Sequence, residues 1–336
     1  MWYQGMRQAR IKVDADLGTA VYHVMTRTVN GERLLDDPAK EVLRKQLWKI
    51  ADYCGIEVIT YAILSNHFHV LVRVPKRAKI TDKELLRRFD VLYPKPTKYQ
   101  TSRLEVIKSQ LEENGPEAVA WRSRQLALMG DVSMFMKLLK QRFSIWFNRT
   151  HDRYGTLWSE RFKSVLIEPK AGVMRTIAAY IDLNAVRAGL VLDPKDYRFC
   201  GYAEAVAGSK SARRGIVLVV YGRKDQTWET AQASYRTTLF GVGAKARTGA
   251  QSIKPEELNK IMASGGRLPL AAILRCRVRY FSDGAVLGAA AFVEEHLAEY
   301  RESAGIRREN SPKKLPEVTD WGPLTTLRGL RRGAFG

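Results

Sequence analysis

Two histidines, His67 and His69, stand one residue apart in the run Tyr61-Ala62-Ile63-Leu64-Ser65-Asn66-His67-Phe68-His69-Val70-Leu71-Val72. The run reads as β-strand, and strand side chains alternate faces with a period of two. The two imidazoles therefore share one face, while Phe68, Val70 and Val72 share the other and read as a core face. Neutral imidazole is a common ligand of divalent metals, so a same-face pair in an apolar strand points to a metal site. Far along the chain, Tyr180, Asn184 and Arg187 fall at i, i+4 and i+7 on one side of a helical segment. A phenol with a pKa of about 10 is a poor nucleophile at neutral pH without help. A divalent cation held by His67 and His69 would polarise a phosphate under attack and offset its developing charge. Asn184, one turn beyond Tyr180, can add an oxygen ligand. Two imidazoles and a carboxamide oxygen leave positions open for phosphate oxygens and water, which suits Mg²⁺ or Mn²⁺ better than a closed zinc site. Taken alone, Tyr180 reads as a half-buried aromatic with a solvated hydroxyl; the chemistry lies in the combination.

The elements that must position these groups follow from pattern and punctuation. Val21 to Thr26 reads as a first strand, and His23 within it reads as an ordinary strand side chain, because no partner lies at metal spacing. Asp36-Asp37-Pro38 starts a helix that runs to about Tyr53 and stops at Cys54-Gly55. Glu57 to Leu64 is a second strand, followed by the histidine strand. Residues 76–128 read as a helical insertion, a solvated spacer or surface arm, with Thr81 capping Asp82–Leu92 and Pro94 and Pro96 breaking the chain afterwards. Asp131 to Asn148 is an amphipathic helix with Lys137, Lys140, Arg142 and Arg149 around it. Phe162 to Glu168 alternates as a fourth strand. Pro169 then leads into a helix from about Val173 to Ala188, closed by Gly189. The order is β-α-β-β-α-β-α. Beyond residue 207 the pattern is mainly helical: Ser209 to Gly215 reads as a linker or exposed turn, Trp228 to Leu239 as a helix and Pro255 to Met262 as a short one. Pro269 to Val278 and Ala285 to Arg301 form a helix pair around the turn Ser282-Asp283-Gly284. That pair, with Arg275, Arg277 and Arg279, is either a helix-turn-helix that reads duplex DNA or a plain helical hairpin. The units are thus a basic lead-in over 1–17, a catalytic domain over 18–206, a helical region over 207–305 and a basic tail over 306–336.

The 336 residues carry a formal net charge of +21. An excess of that size speaks of a polyanionic partner, with nucleic acid first and an anionic membrane surface second. No apolar run approaches the roughly 18 residues of a membrane span, and the N-terminus lacks an apolar signal core. Three cysteines, Cys54, Cys200 and Cys276, lie far apart without a C-x-x-C pair, which fits a reducing cytoplasm.

Three stretches carry a resemblance. His67-Phe68-His69, within Asn66-His67-Phe68-His69-Val70-Leu71-Val72, resembles the HUH motif (His, hydrophobic residue, His) of single-tyrosine transposases, and is closest to the REP-associated tyrosine transposases. Gly155-Thr156-Leu157-Trp158-Ser159-Glu160-Arg161-Phe162-Lys163-Ser164 is similar to their G-x-L-W-x-x-R-[FY]-K-S segment. Tyr180-Ile181-Asp182-Leu183-Asn184-Ala185-Val186-Arg187-Ala188-Gly189 is similar to their Y-I-x-L-N-P-V-R-A-G helix. The motifs occur in the family's order across about residues 18–206. Two departures are Ala185 in place of Pro and a longer stretch before the basic helix. Ala extends a helix better than Pro.

The resemblance implies an α+β fold, a ferredoxin-like antiparallel sheet with helices on one face (the HUH nuclease fold), plus a mainly helical C-terminal region. It implies His67, His69 and Asn184 as ligands of Mg²⁺ or Mn²⁺ and Tyr180 as nucleophile. The implied reaction cuts single-stranded DNA at REP-like hairpins through a 5′-phosphotyrosine intermediate and a free 3′-OH, and rejoins strands without ATP. Candidate DNA contacts are Arg73, Trp158, Arg161, Lys163 and Arg187, with Trp158 and Phe162 either stacking unpaired bases or packing in the core. The implied partners are single-stranded DNA and hairpins, with no membrane, and a monomer or homodimer in the bacterial cytoplasm, associated with the nucleoid. The reading of a different class is a domesticated protein that binds hairpins without cutting.

Overall fold

In a computed structural model of the chain, residues 10–93, 98–240, 280–304, 312–315 and 324–327 are described. The helices expected over Pro255–Met262 and Pro269–Val278, with Arg275, Arg277 and Arg279, lie outside them, as do residues 1–9 of the lead-in and most of the tail.

Strand β1 (Ala20–Arg27) leads into α1 (Asp37–Cys54). The Asp36 carboxylate caps α1 by accepting from the Ala39 amide, and Gly55 closes it at φ +66°, a conformation only glycine adopts freely. Strands β2 (Glu57–Ile63) and β3 (His67–Val74) follow as an antiparallel pair. The insertion is helical as expected: α2 (Asp82–Leu92), capped by Thr81, then α3 (Lys98–Glu113) and α4 (Pro116–Leu126). It is not a solvated spacer throughout, since Leu85, Leu111, Ala118 and Trp121 are buried. Helix α5 (Val132–Thr150) is capped by Asp131 and precedes β4 (Lys163–Ile167).

The first four strands lie side by side in the order β2-β3-β1-β4, each antiparallel to its neighbour. Helices do not keep to one face. Phe143 of α5 and Phe68 of β3 both pack on Trp158, and α1 lies against α5. The opposite face, which carries the histidines, is covered by α6 (Ala171–Asp182) and bordered by α9 (Lys210–Tyr221). Strand burial gives the reason. Every residue of β1 but Arg27 is buried, as are six of the eight residues of β3, and strands buried on both sides need two covering layers.

The short helices α7 (Asn184–Arg187) and α8 (Gly201–Val206) lie between α6 and α9, and α10 (Trp228–Phe240) follows. The stretch expected to be a linker is the first half of α9, started by Ser209, whose hydroxyl accepts from the Ala212 amide. Gly215 is there for contact, because a Cβ at that position would overlap the Ile59 carbonyl of β2. The described residues from Tyr280 on add short strands to the expected helix. After one turn, α11 (Tyr280–Asp283), the chain forms β5 (Val286–Gly288), then α12 (Ala290–Ala304), β6 (Lys313–Lys314) and β7 (Thr325–Leu327). Strand β5 runs parallel to β4, and β7 and β6 extend the sheet to the order β2-β3-β1-β4-β5-β7-β6. Beyond residue 206 the described residues are mainly helical, as expected, and their short strands continue the sheet past β4.

Candidate active site

The antiparallel pairing of β1 with β3 sets Met25 opposite His69, Arg27 opposite His67 and His23 opposite Leu71. Residues two apart share a face, so His23 and His69 are diagonal neighbours, within reach of long side chains. Their rings stack with centroids 5.1 Å apart, and Nε2 of His23 lies 2.9 Å from Nδ1 of His69. Nδ1 of His23 lies 2.7 Å from the Phe281 carbonyl on α11. His67 and His69 stand edge to face at 5.2 Å. Nδ1 of His67 lies 2.6 Å from Oδ1 of Asn66, whose Nδ2 donates to the Gly31 carbonyl at 2.9 Å.

Helix α6 brings Tyr180 to this cluster. Its ring sits 6.4 Å from His69 and 6.3 Å from His23, with Phe281 at 5.1 Å on another side. Tyr180 is 3 % exposed. The guanidinium of Arg187 lies 4.1 Å over the Tyr180 ring and donates to the Tyr180 carbonyl at 2.7 Å. Asn184 Nδ2 donates to the carbonyls of Ile181 and Tyr180 at 3.1 and 3.4 Å. These side chains take carbonyls that the backbone ladder would otherwise use, a known source of helix interruption. The single helix expected over Val173–Ala188 is accordingly broken at Leu183, where α6 gives way to α7.

Asp182 anchors α6 from behind. Fully buried, it accepts from the Thr60 hydroxyl on β2 at 2.7 Å, the Tyr235 hydroxyl on α10 at 2.6 Å and the Tyr202 amide on α8 at 3.2 Å. Burial pushes its carboxyl up to about 7 against the opposing pull of these donors. Each buried donor left without an acceptor costs about 1–3 kcal/mol, so this carboxylate ties the Tyr180 helix to three other elements.

Burial also sets the charge of the histidines. It drives His23 down to about 4, helped by Arg187 and opposed by the Phe281 carbonyl. It holds His69 well below its ordinary range, with the neighbouring His23, His67, Arg187 and Arg27 acting in the same direction. Both rings are neutral at neutral pH, the state in which imidazole binds a metal.

The spacing of the two histidine rings is compatible with a shared divalent ion. Two imidazoles bound to one ion through Nε2 at about 2.1 Å have ring centroids roughly 5 Å apart, close to the observed 5.2 Å. Their Nδ1 atoms are already engaged, and Asn184 spends its amide nitrogen on its own helix, which leaves its Oδ1 available. Among the described residues no group of three or more His, Cys, Asp or Glu side chains could hold a metal; two histidines and a carboxamide are a different donor set.

The remaining sequence candidates divide. Arg187 is at the cluster. Arg73 shares the histidines' strand face but lies six residues from His67, roughly 20 Å along a strand, and pairs with Glu57 at 2.9 Å. Trp158 is not a stacking platform: it is 7 % exposed, packs on Phe68 and Phe143, and its indole N–H donates to the Lys140 carbonyl. Arg161 is exposed, and Lys163 pairs with Glu160 at 3.4 Å. His23 was not among the sequence candidates, because only the strand register brings it to His69. A cavity of about 780 Å³ between α1, β2 and α9, lined by Trp48, Glu57, Arg88 and Lys224 among others, contains none of the cluster.

Residues 17–83 match the family model "Transposase IS200 like". One solved structure similar to the chain is that of a REP-associated tyrosine transposase bound to a REP hairpin. It is 16 % identical, with 60 % of this chain and 87 % of that one covered and a TM-score of 0.35. No curated protein matches. No helix among the described residues is long and apolar enough to cross a membrane.

Proposed function

We propose that the chain, whose residues 17–83 match the family model "Transposase IS200 like", cuts and rejoins single-stranded DNA at REP-like hairpins. The observation that carries the reading is the approach of Tyr180 to the histidine pair within one chain, at 6.4 Å from the His69 ring. In the reaction, Tyr180 Oη gives up its proton and attacks a DNA phosphorus. The Oη–P bond forms and the P–O3′ bond breaks, leaving a 5′-phosphotyrosine and a 3′-oxygen that takes up a proton. Attack by a second 3′-OH reverses the step and joins strands, because the phosphodiester energy is kept in the adduct. His67, His69 and Asn184 would hold the ion, Mg²⁺ or Mn²⁺, and when bound it polarises the phosphate and offsets charge on the leaving oxygen. Arg187, over the Tyr180 ring, adds positive charge where the phosphate must sit. The ferredoxin-like reading of the four-strand core is supported by the order β2-β3-β1-β4.

One observation favours the second reading, a hairpin-binding protein that does not cut. Tyr180 is almost closed to solvent, with Phe281 against its ring, so attack requires that packing to open. A single assay separates the two. The full chain is incubated with hairpin-bearing single-stranded oligonucleotides in Mg²⁺ or Mn²⁺ and run on a denaturing gel. The cutting reading predicts a covalent protein–DNA band whose formation EDTA prevents; hairpin binding with no such band in either metal supports the binder.

A further inference from the structure

We propose that His23 is a positioning residue that fixes the tautomer of His69, so that the Nε2 lone pair of His69 is the one presented to the metal. The assignment rests on the reading of His67 and His69 as ligands and extends it to a residue that no motif includes.

A backbone carbonyl only accepts hydrogen bonds. The Phe281 carbonyl, 2.7 Å from Nδ1 of His23, therefore requires the proton of His23 to be on Nδ1. A neutral imidazole carries one N–H, so Nε2 of His23 is an acceptor. The ring nitrogen facing it at 2.9 Å is Nδ1 of His69, which must then carry the proton of His69. That leaves the lone pair of His69 on Nε2. The opposite tautomer would set two lone pairs against each other in a fully buried contact.

His67 is held by a separate relay of the same kind. The Gly31 carbonyl takes the amide N–H of Asn66, which turns Oδ1 of Asn66 toward Nδ1 of His67 and requires a proton there. Each histidine thus receives its tautomer from a backbone carbonyl through one intervening side chain. Metal-binding histidines generally depend on such a partner at the second ring nitrogen, and losing it weakens binding by about 10- to 100-fold. Here the partner of His69 is another imidazole, placed by the β1–β3 register.

The test uses the full chain and two substitutions. His23→Phe keeps a ring and removes the acceptor. His23→Gln puts an amide oxygen near the former Nε2 position and can still accept from His69. Nitrogen-15 NMR of the histidines in the metal-free protein reads the tautomer directly, and Mn²⁺ titration followed by electron paramagnetic resonance reads affinity. The wild type is expected to show His69 protonated at Nδ1. In His23→Phe, Mn²⁺ affinity should fall about 10- to 100-fold, and His23→Gln should recover most of it. A wild-type His69 protonated at Nε2, or wild-type Mn²⁺ affinity in a folded His23→Phe, overturns the proposal. If His23→Phe fails to fold, the wild-type tautomer and the His23→Gln affinity still decide it. A wild type with the Nδ1–H form that binds no Mn²⁺ overturns instead the metal reading on which the proposal rests.

Discussion

Tyr180→Phe is expected to reduce covalent adduct formation by roughly 10⁴-fold or more, the scale seen when a nucleophile is deleted, while hairpin binding persists. The phenyl ring keeps the packing against His23, His69 and Phe281 and the contact with the Arg187 guanidinium. Only the oxygen that would form the bond to phosphorus is lost. An electrophoretic mobility shift measures binding and a denaturing gel measures the adduct. Because the two readouts separate, a misfolded variant is distinguished from an inert one: the first loses both and the second only the adduct. An undiminished adduct would mean that another residue is the nucleophile.

The second large effect is expected at His67. His67→Ala should weaken Mn²⁺ binding by at least about 100-fold, since removing a ligand exceeds the effect of removing a ligand's partner. Adduct formation should fall with it. His67 is the better choice for this test because it is partly exposed, so truncation opens no sealed void. His69 is buried, and its loss would also leave Nε2 of His23 without its partner. Titration of Mn²⁺ against wild type and variant measures the loss directly; retained affinity and activity would remove His67 from the metal site.

Local chemistry made the main elements legible in the sequence. Asp36, Thr81 and Asp131 each accept from an amide in the first turn of a helix, and strand alternation separates the faces of β3 without any tertiary information. The i, i+4, i+7 spacing places Tyr180, Asn184 and Arg187 together even though the helix breaks at Leu183: Asn184 and Arg187 both reach the Tyr180 carbonyl. Features that depend on which strands meet were not legible. His23 looks idle until β1 is registered against β3, and register is a property of the assembled sheet. Arg73 has the right parity along β3, but parity says nothing of the distance to His67 or of the ion pair with Glu57. Trp158 has the composition of a base-stacking residue and the surroundings of a core one. Strands β5, β6 and β7 are two or three residues long, too short for any periodicity to show. The Ser209–Gly215 stretch misled for the opposite reason: its small and basic residues suit a turn, while Gly215 is small because α9 lies directly on β2.

Tyr180 and the histidine pair are expected to form one site within a single chain. Mixing the two inactive variants, Tyr180→Phe and His67→Ala, under the conditions in which the wild type forms its adduct tests this most directly. Each variant lacks a different half of the site. If both halves come from the same chain, the mixture forms no covalent adduct above the sum of the separate variants. If the tyrosine of one copy instead serves the histidines of another, the mixture contains intact sites, and recovery of the protein–DNA band would show that the site is shared between copies.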